Sequence, residues 1–326
     1  MRKDVAQLGR VGVLMGGCSS EREISFKSGK AVLAALVAEG CPAKAIEINS
    51  TDERDIENVI RQANIDLAFI TLHGKFGEDG AIQSLLERLA IPYTGSDAAS
   101  SRRAINKIIT QTLVAQEGVV VPPNRVVSVD ERNQVGRIIQ ELGGVPVVLK
   151  PPLEGSSIGI TIVLDSSDID AAVELAFQFG PDILIEKYIP GKELTAGLLD
   201  GQALPLVEIR PKNSFFDFEA KYQKGMSEYI VPTEVDPALS ARIQASAVQV
   251  SQILGCADFV RMDFILGQDG QHYFLEANTI PGFTATSLLP MAAKEAGCSF
   301  GELCLKIAGM ALRKKDRFHP KTCCSI

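Results

Sequence analysis

The sequence predicts an α/β protein of two or three domains, the first built on an open parallel sheet. Three observations lead there. At 326 residues and 46% hydrophobic, the chain can bury more than one core. Ahead of Ser101, apolar runs at residues 11–15, 43–48 and 67–72 alternate with helical stretches at 21–36, 52–63 and 81–89. That is the pattern of strands joined by crossover helices. Farther on, two β-rich runs, Phe259-Val-Arg261-Met-Asp263-Phe-Ile-Leu and His272-Tyr-Phe-Leu-Glu276-Ala-Asn278, flank a Gly/Asp turn and predict an antiparallel hairpin.

The first strand runs into Gly16-Gly17-Cys18-Ser19-Ser20 and then a helix. Ser20 and Glu23 have the spacing of a capping box, which gives Glu23 a structural role. Glu21, in the first turn, either complements the helix dipole or serves a ligand. The glycine turn lacks the GxGxxG spacing, and Glu47 comes too late to hold a ribose, so an NAD-dependent dehydrogenase is disfavoured. The third strand ends in His73-Gly74-Lys75-Phe76-Gly77-Glu78-Asp79-Gly80. Open α/β sheets bind ligands beyond such carboxyl ends, which makes His73 a candidate beside the plainer reading of a loop histidine. Residues 91–96 return to a strand and turn, and the first domain, residues 1–102, closes there.

Residues 103–117 predict one helix carrying Asn106 and Lys107, and Val121-Pro122-Pro123 breaks it. A helix at 130–142 precedes a strand at 145–149 that ends in Lys150. Glu154-Gly155-Ser156-Ser157-Ile158-Gly159 then forms a hairpin loop whose small residues let backbone approach a phosphate. No Walker or protein-kinase motif occurs, so a nucleotide would need another fold to hold it. After a helix at 168–178, the strand from Asp182 through Glu186 and Lys187 runs into the polar hinge Tyr188-Ile189-Pro190-Gly191-Lys192-Glu193. Backbone beside Lys187 and Ile189 can receive adenine and Glu193 can reach a ribose, although alone this is only a strand end. Residues 194–199 and 204–209 pair across Asp200-Gly201. The stretch 211–226, with Phe215, Phe216, Phe218, Lys221, Tyr222 and Lys224, reads as a lid that excludes water.

In the hairpin, side chains alternate faces, so Arg261 and Asp263 share one side of their strand, and Glu276 and Asn278 one side of theirs. Pairing centred on Gln268-Asp269 or Asp269-Gly270 puts all four on the same face, and a one-residue bulge would break that inference. Three oxygen donors and a guanidinium suit a hard divalent cation that also holds phosphate. The loop Pro281-Gly282 to Thr286 opens a helix at Ser287-Leu288, whose free amides favour an anion.

A net charge of −7 supplies no positive field for nucleic acid or an anionic membrane. The opening Met1-Arg-Lys-Asp-Val has no apolar signal core and no run reaches membrane-spanning length, so a cytoplasmic location is expected. Seven cysteines without CxxC spacing point to reduced, mostly buried thiols, with Cys323-Cys324 in a frayed tail.

Taken in order, Gly-Gly-Cys-Ser-Ser-Glu-Arg-Glu, Leu-His-Gly-Lys-Phe-Gly-Glu-Asp-Gly, Glu-Gly-Ser-Ser-Ile-Gly, Glu-Ala-Lys-Tyr and Glu-Ala-Asn-Thr-Ile-Pro-Gly resemble the D-alanine:D-alanine ligase family of the ATP-grasp superfamily. The resemblance covers nearly the whole chain. It implies a three-domain ATP-grasp fold: an N-terminal open parallel-sheet domain (1–102) and two α+β subdomains (103–186 and 187–326) that grip ATP. It implies ligation of two D-alanines to D-alanyl-D-alanine, with ADP and phosphate released through a D-alanyl phosphate, for peptidoglycan synthesis. By the same resemblance, Lys107 and Lys150 contact ATP phosphates, with Ser156 and Ser157 in the loop over them, and Glu186, Lys187, Ile189 and Glu193 form the nucleotide hinge. Asp263, Glu276 and Asn278 match ligands of two Mg²⁺ (or Mn²⁺), and Arg261 with the Gly282 amide matches the oxyanion donors. Glu21 and His73 match the first D-alanine subsite, and Ser287 with the Leu288 amide the carboxylate of the second. Tyr222, Ser156 and Glu21 resemble a hydrogen-bonded relay, with Lys221 near the transferring phosphate. Tyr222 favours an amine acceptor over D-lactate. Two departures stand out: Asn106 where an Asp commonly precedes the lysine, and Thr286 where an imidazole is often seen. The resemblance also implies a homodimer, and the sequence leaves open whether a monovalent cation near Glu186 assists.

Overall fold

A computed structural model describes residues 2–211 and 227–314. The expected lid, with Lys221 and Tyr222, and the Cys323-Cys324 tail lie outside the described residues. After a short helix α1 (Arg2–Gln7), β1 (Val11–Gly16) forms the centre of a parallel sheet between β2 (Ala43–Ile48) and β3 (Leu67–Ile70). Helices α2 (Arg22–Ala38), α3 (Glu53–Ala63) and α4 (Ala81–Arg88) make the connections. The return expected at 91–96 shrinks to an isolated parallel bridge between Ala68 and Tyr93. Every residue of β1 is buried, as a parallel sheet covered on both faces requires. Val13 and Met15 face α2 and the C-terminal helix, whereas Leu14 packs with Ile56, Ile60 and Ile82 on the other side.

The helix expected at 103–117 is two helices. α5 (Ala98–Ile105) ends at Asn106, whose backbone is extended, and α6 (Lys107–Gln116) begins there. The Asn106 side chain accepts the amides of Ile108 and Ile109, both at 3.1 Å, so it is an N-cap and the break has a local cause. An Asp would cap equally well, which accounts for the exchange at this position.

A second sheet has the order β4-β7-β5-β6 and is antiparallel: β4 (Asn124–Ser128), β5 (Val147–Lys150), β6 (Thr161–Val163) and β7 (Asp182–Lys187). Helices α7 (Val135–Glu141) and α8 (Ile169–Phe177) cover one face through Ile139, Val173, Leu149 and Ile185. Strand alternation therefore turns Lys150 and Glu186 to the opposite face.

The third sheet runs β11-β10-β8-β12-β13, with β9 (Gln202–Ala203) hairpinned onto β8 (Gly191–Leu199). Its other strands are β10 (Val207–Pro211), β11 (Ser227–Ile230), β12 (Phe259–Gly267) and β13 (His272–Asn278). Helix α9 (Pro237–Leu254), capped by Asp236 and closed by a left-handed Gly255, packs on one face against Met262, Phe264 and Phe274. Helices α10 (Leu288–Glu295) and α11 (Phe300–Arg313) follow, and α11 returns to α2, so chain ends far apart in sequence share one core. Phe283 joins these parts: it is 2% exposed, with rings of Phe69, Phe259 and Phe300 centred 6.0, 5.5 and 5.7 Å away.

Among the described residues the cysteines are free, and Cys41, Cys298 and Cys304 are buried while Cys18 is exposed. Among those residues, no helix is long and apolar enough to cross a membrane.

Candidate active site

The hairpin supplies one wall of the site. Asp263 pairs with Glu276 and Arg261 with Asn278, which is the register that puts all four on one face. The register shifts between Asp263 and Phe264, leaving Leu275 without a partner. At the turn the pairs Phe264–Phe274 and Leu266–His272 centre on Asp269, between the two centrings expected, and that register alone would put the two polar pairs on opposite faces. The one-residue bulge at Leu275 shifts it, and this shift brings all four onto one face. Met262, Phe264 and Ala277 take the opposite face into the core beneath α9.

Arg261 donates to both oxygens of Asp263, at 2.9 and 2.7 Å, and the Thr195 hydroxyl donates to Asp263 Oδ1 at 2.7 Å. Lys107 Nζ lies 3.1 Å from Glu276 Oε2 and donates to the Glu154 carbonyl at 2.6 Å. Asn278 Oδ1 is buried with no hydrogen-bond partner. An orphaned amide oxygen beside two carboxylates is a donor set that fits a hard divalent cation.

The N-terminal sheet supplies the facing wall. Helix α2 begins at Arg22 with Glu21 as N-cap residue, and the expected Ser20–Glu23 capping box does not form; Glu23 is exposed. Ser19 intervenes: its hydroxyl donates to the His73 carbonyl at 2.8 Å and accepts the Glu21 amide at 3.3 Å. The Glu21 carboxylate makes no cap hydrogen bond and instead accepts from the Ser156 hydroxyl, which arrives from the β5–β6 loop. Ser156 and Ser157 both sit in the left-handed region, φ 50° and 61°, which folds that loop towards Glu21.

His73 is buried, with Nε2 3.2 Å from the Ser28 hydroxyl, and Ser28 Oγ in turn accepts the Phe283 amide at 3.1 Å. Burial pushes the imidazole down to about 4, and the Arg261 charge adds to that against a hydrogen bond to the Ile280 backbone, so the ring is neutral near pH 7. Glu78, one turn of loop further on, was not singled out from the sequence. It is buried, accepts the Gly74 amide at 2.7 Å, and is pushed up to about 8 by burial and by the charge of Glu21. It therefore holds a proton at neutral pH. The five-residue spacing from His73 across two glycines was the available signal, but nothing local said that the carboxyl turns inward.

Between the walls lies a cavity of about 720 Å³, lined by Glu21, His73, Ser156, Lys107, Arg261, Glu276 and Asn278, with Gly282, Ser287 and Leu288 at one side. The helix expected at Ser287-Leu288 is α10. The Ser287 hydroxyl faces back to Thr284, accepting its amide at 3.0 Å, and no acidic residue occupies the first turn. The N-terminal end of α10 thus presents positive potential to the cavity.

Lys150 and Glu186 sit apart from this cavity lining, buried on the face of the second sheet opposite α7 and α8, with Lys150 Nζ 2.6 Å from Glu186 Oε2. Gln111 on α6 donates to Glu186 Oε1 at 2.6 Å and to the Leu275 carbonyl at 3.1 Å. The Lys187 amide is committed to Pro123 O at 2.8 Å and the Tyr188 amide to Pro146 O at 3.2 Å, while Ile189 follows at the hinge. Glu193 lies on β8, paired with Ile265 and Ile209.

Comparison with known proteins agrees with this arrangement. The family description "D-ala D-ala ligase C-terminus" matches residues 113–308 and "D-ala D-ala ligase N-terminus" matches 44–96. A D-alanine–D-alanine ligase of Geobacter sulfurreducens is 44% identical over 94% of this chain and 95% of its own length. One of Trichlorobacter lovleyi is 44% identical over 96% of this chain and 98% of its own. Among solved structures, the D-alanine–D-alanine ligase of Bacillus anthracis superposes with a TM-score of 0.84 at 34% identity, covering 95% of this chain and 99% of that one. Its complex with ATP gives 0.81 at 32% identity over the same shares. The VanG D-Ala:D-Ser ligase of Enterococcus faecalis gives 0.80 at 30% identity, covering 93% and 99%. With these matches spanning both walls of the cavity, the chain belongs to the D-alanine–D-alanine ligase family.

Proposed function

We infer that this chain is an ATP-dependent ligase that joins two D-alanines to D-alanyl-D-alanine for peptidoglycan precursor synthesis. The observation that carries this is the convergence, on one cavity, of Glu21 from the N-terminal sheet, Arg261 and Glu276 from the hairpin, and the N-terminal end of α10. We take the three domains as 1–102, 103–186 and 187–326, with ATP between the last two.

The first D-alanine lies with its ammonium against Glu21 and its carboxylate towards Arg261. Neutral His73 and protonated Glu78 add polar contacts there without a second full anion beside Glu21. Lys107 and Lys150 hold the phosphates of ATP, and the loop of Ser156 and Ser157 covers them. Asp263, Glu276 and Asn278 would hold Mg²⁺, which when bound neutralises charge as two anions approach. The carboxylate oxygen attacks the γ-phosphorus and ADP leaves. The second D-alanine, its carboxylate on the α10 amide of Leu288 and on Ser287, loses a proton through Ser156 and Tyr222. Its amine attacks the acyl carbon. Arg261 and the Gly282 amide hold the oxyanion, and phosphate departs as the amide forms.

Phosphate release from ATP with Mg²⁺ tests the reading, with D-alanine, L-alanine, D-alanine plus D-serine, D-alanine plus D-lactate, or no amino acid. Release that requires D-alanine and yields the dipeptide is expected. A folded, ATP-binding protein that releases no phosphate with D-alanine would overturn it.

A further inference from the structure

Gln111 is 2% exposed and lies four residues after Lys107, so the two share a face of α6. Lys107 reaches Glu276, and Gln111 reaches two other groups at once. One amide hydrogen goes to Glu186 Oε1 at 2.6 Å and the other to the carbonyl of Leu275 at 3.1 Å, while its own oxygen accepts from Asn124 Nδ2 at 3.0 Å. A flipped carboxamide would oppose its oxygen to two acceptors, so one orientation is fixed.

Both acceptors matter to the site. Glu186 is 1% exposed and its other oxygen takes Lys150 at 2.6 Å. Leu275 is the residue the register shift leaves unpaired, and Glu276 follows it directly. A bulge frees the local backbone from the ladder, so another group has to fix it. Gln111 does so, and it ties that point to the second sheet through Glu186.

We propose that Gln111 is a positioning residue: its carboxamide bridges Glu186 and the bulge at Leu275, holding Lys150 and Glu276 at one separation across the nucleotide cleft. This rests on the proposed ligase reading. A leucine or methionine of similar volume would leave Glu186 and the Leu275 carbonyl each short of a donor. A glutamate would set an anion against Glu186.

The wild-type assay with D-alanine comes first, since its failure concerns the ligase reading and not Gln111. Given an active wild type, Gln111→Met is expected to raise KM for ATP about tenfold, as loss of a hydrogen bond to a charged group implies, while KM for D-alanine stays within about twofold. Calorimetric binding of ADP in EDTA should weaken by a similar factor, a readout that needs neither metal nor turnover. Unchanged ADP affinity, or equal rises in both KM values, would overturn the proposal. Gln111→Glu gives a second test if the methionine variant does not fold. Its KM for ATP should fall towards the wild-type value as pH is lowered from about 8.5 to 6 and the acid regains an O–H donor. A ratio to wild type that does not change with pH would overturn it as well.

Discussion

Arg261 grips both oxygens of Asp263 at 2.9 and 2.7 Å, two residues away on the same face of β12. Each side chain is mostly buried, at 14% and 17% exposure. Asp263→Asn removes the charge and one of the accepting oxygens. It should cost on the order of 1–3 kcal/mol of stability and, with Asp263 in its proposed metal role, raise the Mg²⁺ concentration that half-saturates the rate. Denaturant unfolding and a Mg²⁺ titration of the rate check the two effects separately.

Glu78 and His73 give stability opposite slopes with pH. Glu78 keeps its proton to about pH 8 when folded, against an ordinary value of 4.5, so the folded state holds the extra proton between those limits. Stability from this group is full below about 4.5 and is lost as pH rises towards 8. His73, lowered from 6.5 to about 4, contributes above 6.5 and loses that contribution as pH falls through 4. Melting temperatures across pH 4–9 should show Glu78→Gln flattening the alkaline-side fall while the acid-side fall remains. An unchanged alkaline slope would contradict the assigned shift.

Gly74 has φ +67°, and a Cβ there would stand 2.7 Å from Glu21 Oε2. Gly74→Ala should cost about 1–2 kcal/mol through the left-handed backbone and displace the carboxylate from Ser156. KM for D-alanine should rise while that for ATP holds, measured by varying each substrate in turn.

Asn106→Ala should cost about 1 kcal/mol by uncapping α6, and Asn106→Asp should cost little. Because Lys107 opens that helix, KM for ATP should follow the same order. Chemical denaturation and steady-state kinetics on both variants check this.

Much of this was legible from local pattern. Strand alternation put Arg261 with Asp263 and Glu276 with Asn278, but the common face of the two pairs rests on a turn register centred on Asp269 and a bulge at Leu275 that corrects it by one residue, neither of which the sequence showed. The end of β1 at Gly16 was likewise visible in an apolar run meeting a glycine loop, while the run at 67–72 overran β3, which stops at Ile70, by two residues. What was not legible involved competition at a distance. Ser20 and Glu23 had the spacing of a cap, but Ser19 is recruited by the His73 carbonyl 54 residues away, and the helix starts elsewhere. The break at Asn106 hid inside a helical pattern because an N-cap and a tolerated polar residue look alike until the extended backbone is seen. Glu78 and Gln111 gave no sign because burial of a polar side chain is decided by the partners that reach it.

The bulge at Leu275 divides the hairpin into a tip and a working end with separate sources of alignment. The turn at 267–270 sets only the pairs from Phe264 to Leu266, while β8 and, in its proposed role, Gln111 align the far side. Loop length at the tip is thereby uncoupled from chemistry: this is where the gene can gain or lose a codon, or an experimenter can graft a reporter peptide, without turning a carboxylate out of the cleft.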